Sequence, residues 1–187
     1  VAMTKPEARK LAKSRRAAVD LHTVGHAMAG VLFTLPAWRS ADTVLAFASM
    51  PDEPDTAEIL QQTLAEGKRL LLPRVLSRTE MDWVEITALS QLRPGAYGIL
   101  EAPANLPAFD TAALDGGALA LIPCLAASPD GVRLGRGGGY YDRFLAHYKG
   151  RRLLVCPTAA LLDDLPCESW DVRFARQEIL TEKGTLL

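Results

Sequence analysis

"TVLAFASMPDEPDTAEILQQTLAEGKRLLLP" occupies residues 43–73 and decides the fold. Its first part, "TVLAFAS" (43–49), reads as a buried strand. "MPDEPD" (50–55) is a turn. Asp55 and Glu58 have the spacing of a capping box, so "TAEILQQTLAEG" (56–67) reads as a helix, closed by Gly67. "RLLLP" (69–73) is the next buried strand. A strand, a turn, a helix and a strand within about 30 residues predict a right-handed parallel crossover.

The same reading extends both ways. Upstream, Thr4 and Glu7 form a second capping-box spacing with Pro6 in the first turn, which predicts a helix over residues 5–19. Lys5, Arg9, Lys13 and Arg16 recur on one face of it. The plain expectation for such a face is a solvated basic helix. Leu21, Val24, Met28, Val31, Leu32 and Leu35 keep helical spacing up to Pro36, with Gly25 expected to loosen that segment. Downstream, "MDWVEI" (81–86) alternates and reads as an antiparallel or edge strand. Residues 90–117 carry four glycines and three prolines and read as mostly irregular. "ALALIP" (118–123) is a third buried strand and "RLLVCP" (152–157) a fourth, with "QEILTE" (177–182) as the last. Sixteen residues without helix or strand signal follow the third strand, and "YYDRFLAHY" (140–148) then reads as a helix. This alternation predicts an α/β fold, a largely parallel central sheet with helices on both faces. No internal repeat or second domain is visible, so a single domain is expected over 1–187.

Composition limits the function classes. Hydrophobic residues make up 49% and charged residues 23%, which is ordinary globular usage. The net charge of -1 argues against a whole-chain field for nucleic acid or membrane. Cys124, Cys156 and Cys167 are odd in number and lack CxxC spacing, which fits a reducing compartment better than a disulfide framework or a zinc site. The longest apolar stretch, "LHTVGHAMAGVLFTL" (21–35), is too short and too polar to span a bilayer. The first twenty residues are basic rather than apolar, unlike a signal peptide. The expected address is cytoplasmic.

Chemistry concentrates in "RLGRGGGYYD" (133–142). This stretch lies between the carboxyl end of a buried strand and the start of a helix, the edge where open α/β sheets bind ligands. Ordering three successive glycines costs backbone entropy. Their bare backbone lets N–H groups approach an anion closely, with the dipole of the next helix in support. Arg133 and Arg136 add forked donors suited to phosphate oxygens. Tyr140 stands where a dinucleotide fingerprint needs glycine, and the Gly-Lys-Ser/Thr of a P-loop is absent. The stretch therefore reads as a phosphate site of another kind. Asp142, in the first helical turn, suits either a helix cap or Mg2+, which commonly bridges carboxylates to phosphates. Of Tyr140 and Tyr141, one is expected to face the ligand and the other to pack inward.

"RLGRGGGYYDRFL" resembles the signature of the 5-formyltetrahydrofolate cyclo-ligase family. "FASMPDEPDT" (47–56), "GKRLLLPR" (67–74), "YGILEAP" (97–103) and "LPCESWD" (165–171) follow in the family's order. The resemblance implies a three-layer α/β sandwich and the ATP- and Mg2+-dependent conversion of 5-formyltetrahydrofolate to 5,10-methenyltetrahydrofolate. It implies ATP contacts from Lys5 and Arg9, and from Arg133, Leu134, Gly135, Arg136, Gly137, Gly138, Gly139, Tyr140 and Tyr141. Folate contacts are implied for Ala48, Glu53, Arg136, Gly137, Gly138, Gly139 and Tyr140, and metal contacts for Asp142 and Asp171. Arg136 and Tyr140 are the expected catalytic residues, and a monomer without nucleic-acid or membrane partners is expected. The chain departs from the family pattern at Cys124, Ala127, Pro157, Ala160, Trp170 and Ala175. Those departures motivate an alternative, a nucleotide- or folate-binding sensor that has lost the chemistry. His22 and His26 lack the glutamate of a zinc motif and read as surface or partly buried histidines.

Overall fold

The computed structural model describes residues 2–95 and 98–187. Tyr97, which opens the "YGILEAP" segment, lies outside them. Three helices come first: α1 (Lys5–Ala17), α2 (Leu21–Thr34) and α3 (Pro36–Arg39). The 43–73 run then forms β1 (Thr43–Leu45), α4 (Ala57–Ala65) and β2 (Arg69–Val75), followed by β3 (Met81–Ile86). A small ribbon, β4 (Arg93–Pro94) and β5 (Leu100–Glu101), precedes β6 (Ala118–Pro123). The chain continues through β7 (Ala126–Ala127), β8 (Arg133–Leu134), α5 (Tyr140–Leu145), β9 (Arg151–Val155), β10 (Ile179–Thr181) and β11 (Gly184–Thr185).

The central sheet has seven strands in the order β11-β10-β9-β6-β1-β2-β3. β1 is parallel to both neighbours, with Val44 opposite Leu70 on one side and Leu119 on the other. β6, β9 and β10 continue the parallel set. β3 and β11 close the edges antiparallel, so the alternating "MDWVEI" is an edge strand. The central strands are apolar throughout because both faces are covered. Val44, Leu70, Leu72, Leu119, Leu121 and Val155 meet Met28, Leu32, Trp38 and Ile59 from α2, α3 and α4. Leu45, Leu71, Ile122, Leu154 and Ile179 face the other way, toward Leu145, Tyr141 and Phe144 of α5. Two helical layers thus sandwich the sheet. Each fully buried Leu or Ile contributes roughly 1.5–3 kcal/mol.

α1 belongs to neither layer. Its Ala8 and Ala12 pack on Leu125, Ala126, Leu134 and Leu162, just beyond the carboxyl end of β6. The Thr4–Glu7 capping box forms at its start. The basic helix is solvated only in part: Lys10, Lys13 and Arg15 are exposed, whereas Arg16 is only 1% exposed.

Several boundaries differ from the sequence reading, each for a local reason. The strand expected over 43–49 ends at Leu45, although Ala46 N–H still donates to Leu71 O at 2.9 Å. Asp55 accepts from Ala57 N–H at 2.9 Å, but Glu58 does not complete a box. Its Oε2 lies 2.7 Å from His26 Nδ1, while Asp55 Oδ2 lies 2.8 Å from His22 Nδ1. Both histidines are exposed and clamp α2 to the 55–58 segment. Gly25 does not loosen α2. A Cβ there would stand 2.3 Å from Asp55 O, so glycine lets the turn after β1 sit against the helix. The segment after β6 is not structureless, since β7 and β8 form a two-stranded hairpin. The helix expected over 140–148 stops at Leu145, and the strand expected over 177–182 is confined to 179–181 after a helical turn at 176–178. Among the described residues, no helix is long and apolar enough to cross a membrane.

Candidate active site

A cavity of about 570 Å3 opens beyond the carboxyl ends of β1, β2 and β6. Three chain features build it: the turn after β1, the glycine loop after β8, and α1 laid across the strand ends. Arg16, on α1, ties the turn after β1 to the chain that follows β6. Its Nε donates to Leu125 O at 2.7 Å, its Nη1 to Asp52 O at 2.9 Å and its Nη2 to Cys124 O. A buried guanidinium is tolerated there because carbonyl oxygens satisfy it.

The glycine loop is held from outside by arginines. Arg9 Nε donates to Gly135 O at 3.0 Å, and Arg143 Nη2 donates to Gly138 O at 2.8 Å. Gly137 and Gly139 take φ values of 107° and 71°, a region that side chains with a Cβ rarely enter. Among the described residues, no backbone carbonyl accepts from the N–H groups of Gly137, Gly138 or Gly139. α5 has only six residues, so its dipole is weaker than the longer expected helix would supply. Fixed arginine charge therefore dominates the electrostatics of the loop.

Arg136 points across the cavity at the turn after β1. Its Nη1 and Nη2 donate to Asp52 Oδ2 and Oδ1 at 3.0 and 2.6 Å, and Nη2 stands 3.8 Å from Glu53 Oε2. Two of its five N–H donors are used in this fork, leaving three for a further anion. Arg133 is more enclosed. Its Nε donates to Pro123 O at 2.8 Å, its Nη1 lies 3.7 Å from Asp142 Oδ1, and its guanidinium sits 5.3 Å over the Tyr141 ring. Tyr141 turns inward against Trp83, and burial pushes its phenol well above the usual range. Tyr140 turns outward, and its hydroxyl donates to Ser77 O at 2.5 Å, tying the loop to the β2–β3 connection.

Asp52 and Glu53 are adjacent yet behave oppositely. The Arg136 hydrogen bonds hold the Asp52 carboxyl below the usual range. Glu53 is 7% exposed, and burial pushes its carboxyl up, against the Met50 N–H donated to it at 2.8 Å and the charges of Arg136 and Arg16. Its burial sets it apart from an ordinary solvated carboxylate in a turn. A raised carboxyl contributes stability that is complete below its unfolded value and is lost as pH rises through its folded value. Glu53→Gln is therefore expected to melt above wild type at about pH 7, with the gap closing at about pH 4. A constant gap at both values, measured by thermal unfolding, would assign the effect to packing instead. The Asp52 contribution has the opposite sign, being present above the ordinary aspartate range and lost as pH falls.

All the residues singled out as contacts line this one cavity, from Lys5, Arg9, Ala48 and Glu53 through residues 133–142 to Asp171. The Leu134 side chain points elsewhere, into the small core under α1, so only its backbone serves the site. Lys5 Nζ lies 3.7 Å from Asp171 Oδ2, and Asp171 also accepts from Glu168 N–H at 2.8 Å. Among the described residues, no three acidic, histidine or cysteine side chains converge as a preformed metal site. Sequence reasoning gave no role to Arg16, Asp52, Ser77 or Arg143. Arg16 shares the periodic basic face with Arg9, the one signal that pointed to it. Of the departures from the family pattern, Ala127 and Ala160 are core residues, and Ala127, Pro157, Ala160 and Ala175 are absent from the cavity wall. Cys124 and Trp170 do line it.

Residues 2–182 match the model of the 5-formyltetrahydrofolate cyclo-ligase family. A 5-formyltetrahydrofolate cyclo-ligase of Mycolicibacterium smegmatis is 33% identical over 153 residues, covering 77% of this chain and 75% of that one. One from Escherichia coli (strain K12) is 31% identical over 154 residues, covering 80% and 84%. The solution structure of Aquifex aeolicus 5,10-methenyltetrahydrofolate synthetase superposes with a TM-score of 0.81 at 26% identity, covering 98% of this chain and 92% of that one.

Proposed function

Because the chain belongs to the 5-formyltetrahydrofolate cyclo-ligase family, a family of ligases, we propose that it converts 5-formyltetrahydrofolate to 5,10-methenyltetrahydrofolate with ATP, releasing ADP and phosphate. The observation that carries this reading is the meeting of the glycine loop, Arg136 and the buried Glu53 in one cavity. A formamide carbon is a poor electrophile and its oxygen a poor leaving group. Transfer of the γ-phosphoryl group to that oxygen corrects both faults. N10 then attacks the activated carbon, the ring closes, and phosphate departs with the former formyl oxygen.

Such a reaction asks the protein chiefly for positioning and charge neutralisation. The N–H groups of Gly137, Gly138 and Gly139 and the free donors of Arg136 face the triphosphate. Arg9 holds the loop at Gly135, and Lys5 contributes charge at the same end of the cavity. Glu53 presents an acceptor to N–H donors of the folate ring, beside Ala48. Tyr140 fixes the loop against the β2–β3 connection. No cysteine is asked to act as nucleophile, and the Cys124 thiol donates to Val155 O at 3.3 Å.

The donor set fits Mg2+ arriving with the nucleotide, since that ion typically takes one or two carboxylates plus phosphate oxygens. Asp142 is the freer candidate, with Arg133 at 3.7 Å, whereas Asp171 is already engaged by Lys5 and Glu168. When bound, the ion would neutralise phosphate charge. Asp142→Asn is expected to raise the Mg2+ concentration for half-maximal rate about tenfold, from loss of a charged contact worth ~1.5 kcal/mol. An unchanged metal titration would reduce Asp142 to a helix-end residue.

We read the chain as a single catalytic unit over 1–187, acting as a monomer in the cytoplasm, where its three free thiols suit a reducing environment. The test of the activity is appearance of methenyl absorbance when the protein meets ATP, Mg2+ and 5-formyltetrahydrofolate. ATP binding without product would establish the sensor instead. No departure that removes a family side chain at Ala127, Ala160 or Ala175 lies on the cavity wall, so the site itself favours catalysis.

A further inference from the structure

The chain has three tryptophans, and their environments differ sharply. Trp38 and Trp83 are 1% and 3% exposed, whereas Trp170 is 77% exposed. Leaving so large an apolar ring in water forgoes the burial that usually keeps tryptophan inside. Trp170 is not on a loose tail. Its turn is closed by Asp171 N–H donating to Glu168 O at 3.1 Å and by Glu168 N–H donating to Asp171 Oδ2 at 2.8 Å. Lys5 Nζ stands 3.7 Å from Asp171 and 3.9 Å from Glu168, which ties the turn to the start of α1. Trp170 is one of the residues that line the cavity.

We propose that Trp170 is the platform on which the base of the bound nucleotide stacks. This rests on the reading above that Lys5, Arg9 and the glycine loop take the triphosphate. The turn carrying Trp170 is fastened to Lys5, so the ring belongs to the nucleotide end of the cavity. The other exposed apolar side chains of the cavity wall, Met50, Val75 and Leu100, come from the turn after β1, from β2 and from β5. Stacking covers the face of the ring and reads no base edges, so it selects by surface area. Purine nucleoside triphosphates should be used well whether they carry adenine or guanine, and the smaller pyrimidines less well.

The exposed position means that substitutions should fold. Trp170→Ala is expected to raise KM for ATP about tenfold to a hundredfold, the usual loss for one base–aromatic stack. Trp170→Phe should recover most of it. Binding of inorganic tripolyphosphate, which has no base, should not change. Because the other tryptophans are buried, acrylamide quenching of the whole chain reports chiefly on Trp170, and ATP should protect it. The inference is overturned if Trp170→Ala weakens ATP and tripolyphosphate equally, if the KM change falls on the folate, or if ATP binds and supports turnover while Trp170 stays accessible. That last result would leave the cyclo-ligase reading standing. Absence of any ATP binding to the wild-type chain would remove both.

Discussion

Arg136→Ala is expected to lower kcat about 10²- to 10³-fold, the loss typical of a preorganised donor to developing charge. The argument is geometric. Arg136 reaches from the glycine loop to the turn after β1, where Asp52 occupies two of its donors and Glu53 lies 3.8 Å away. The carboxylates aim the guanidinium and leave its remaining N–H groups for a phosphate. Folding should survive, because the Arg136–Asp52 pair is more than one-third exposed on each side, and such pairs contribute about 1 kcal/mol or less. Arg136→Lys keeps the charge but not the fork, and should recover only part of the rate. The check is steady-state turnover beside a thermal melt. A folded Arg136→Ala protein turning over at the wild-type rate would remove the phosphate role.

Arg16→Met should instead act on stability, with a loss of about 3–5 kcal/mol. The side chain is buried and serves Leu125 O, Cys124 O and Asp52 O at once. Methionine fills similar space but leaves those carbonyls without a donor in a place water reaches poorly. Lysine cannot address the three with the same planar geometry and should recover little. Chemical denaturation would show this as a lower midpoint at unchanged slope. A loss below about 1 kcal/mol would mean that water replaces the guanidinium and that the clamp is not structural.

The crossover and the largely parallel character of the sheet were legible because parallel strands buried on both faces leave long apolar runs, as in "ALALIP" and "RLLLP". The glycine loop was legible because no other need explains its composition. What escaped was long-range. Nothing near Arg16 distinguishes it from the exposed basic residues of the same helix, and only the position of α1 across the strand ends makes it a clamp. Asp52 and Arg136 are 84 positions apart, so no local pattern pairs them. The β7–β8 hairpin has two residues per strand, too few for a period to show. Glu58 had capping-box spacing, but His26 on the neighbouring helix competes for the carboxylate.

The central claim is that ATP activates the formyl oxygen inside this cavity. It is tested most directly by following that oxygen with a heavy-isotope label. If 5-formyltetrahydrofolate labelled at the formyl oxygen is turned over with ATP, the label should appear in the released inorganic phosphate, in step with methenyl product. Product formed with the label in water or formate, and none in phosphate, would contradict the account.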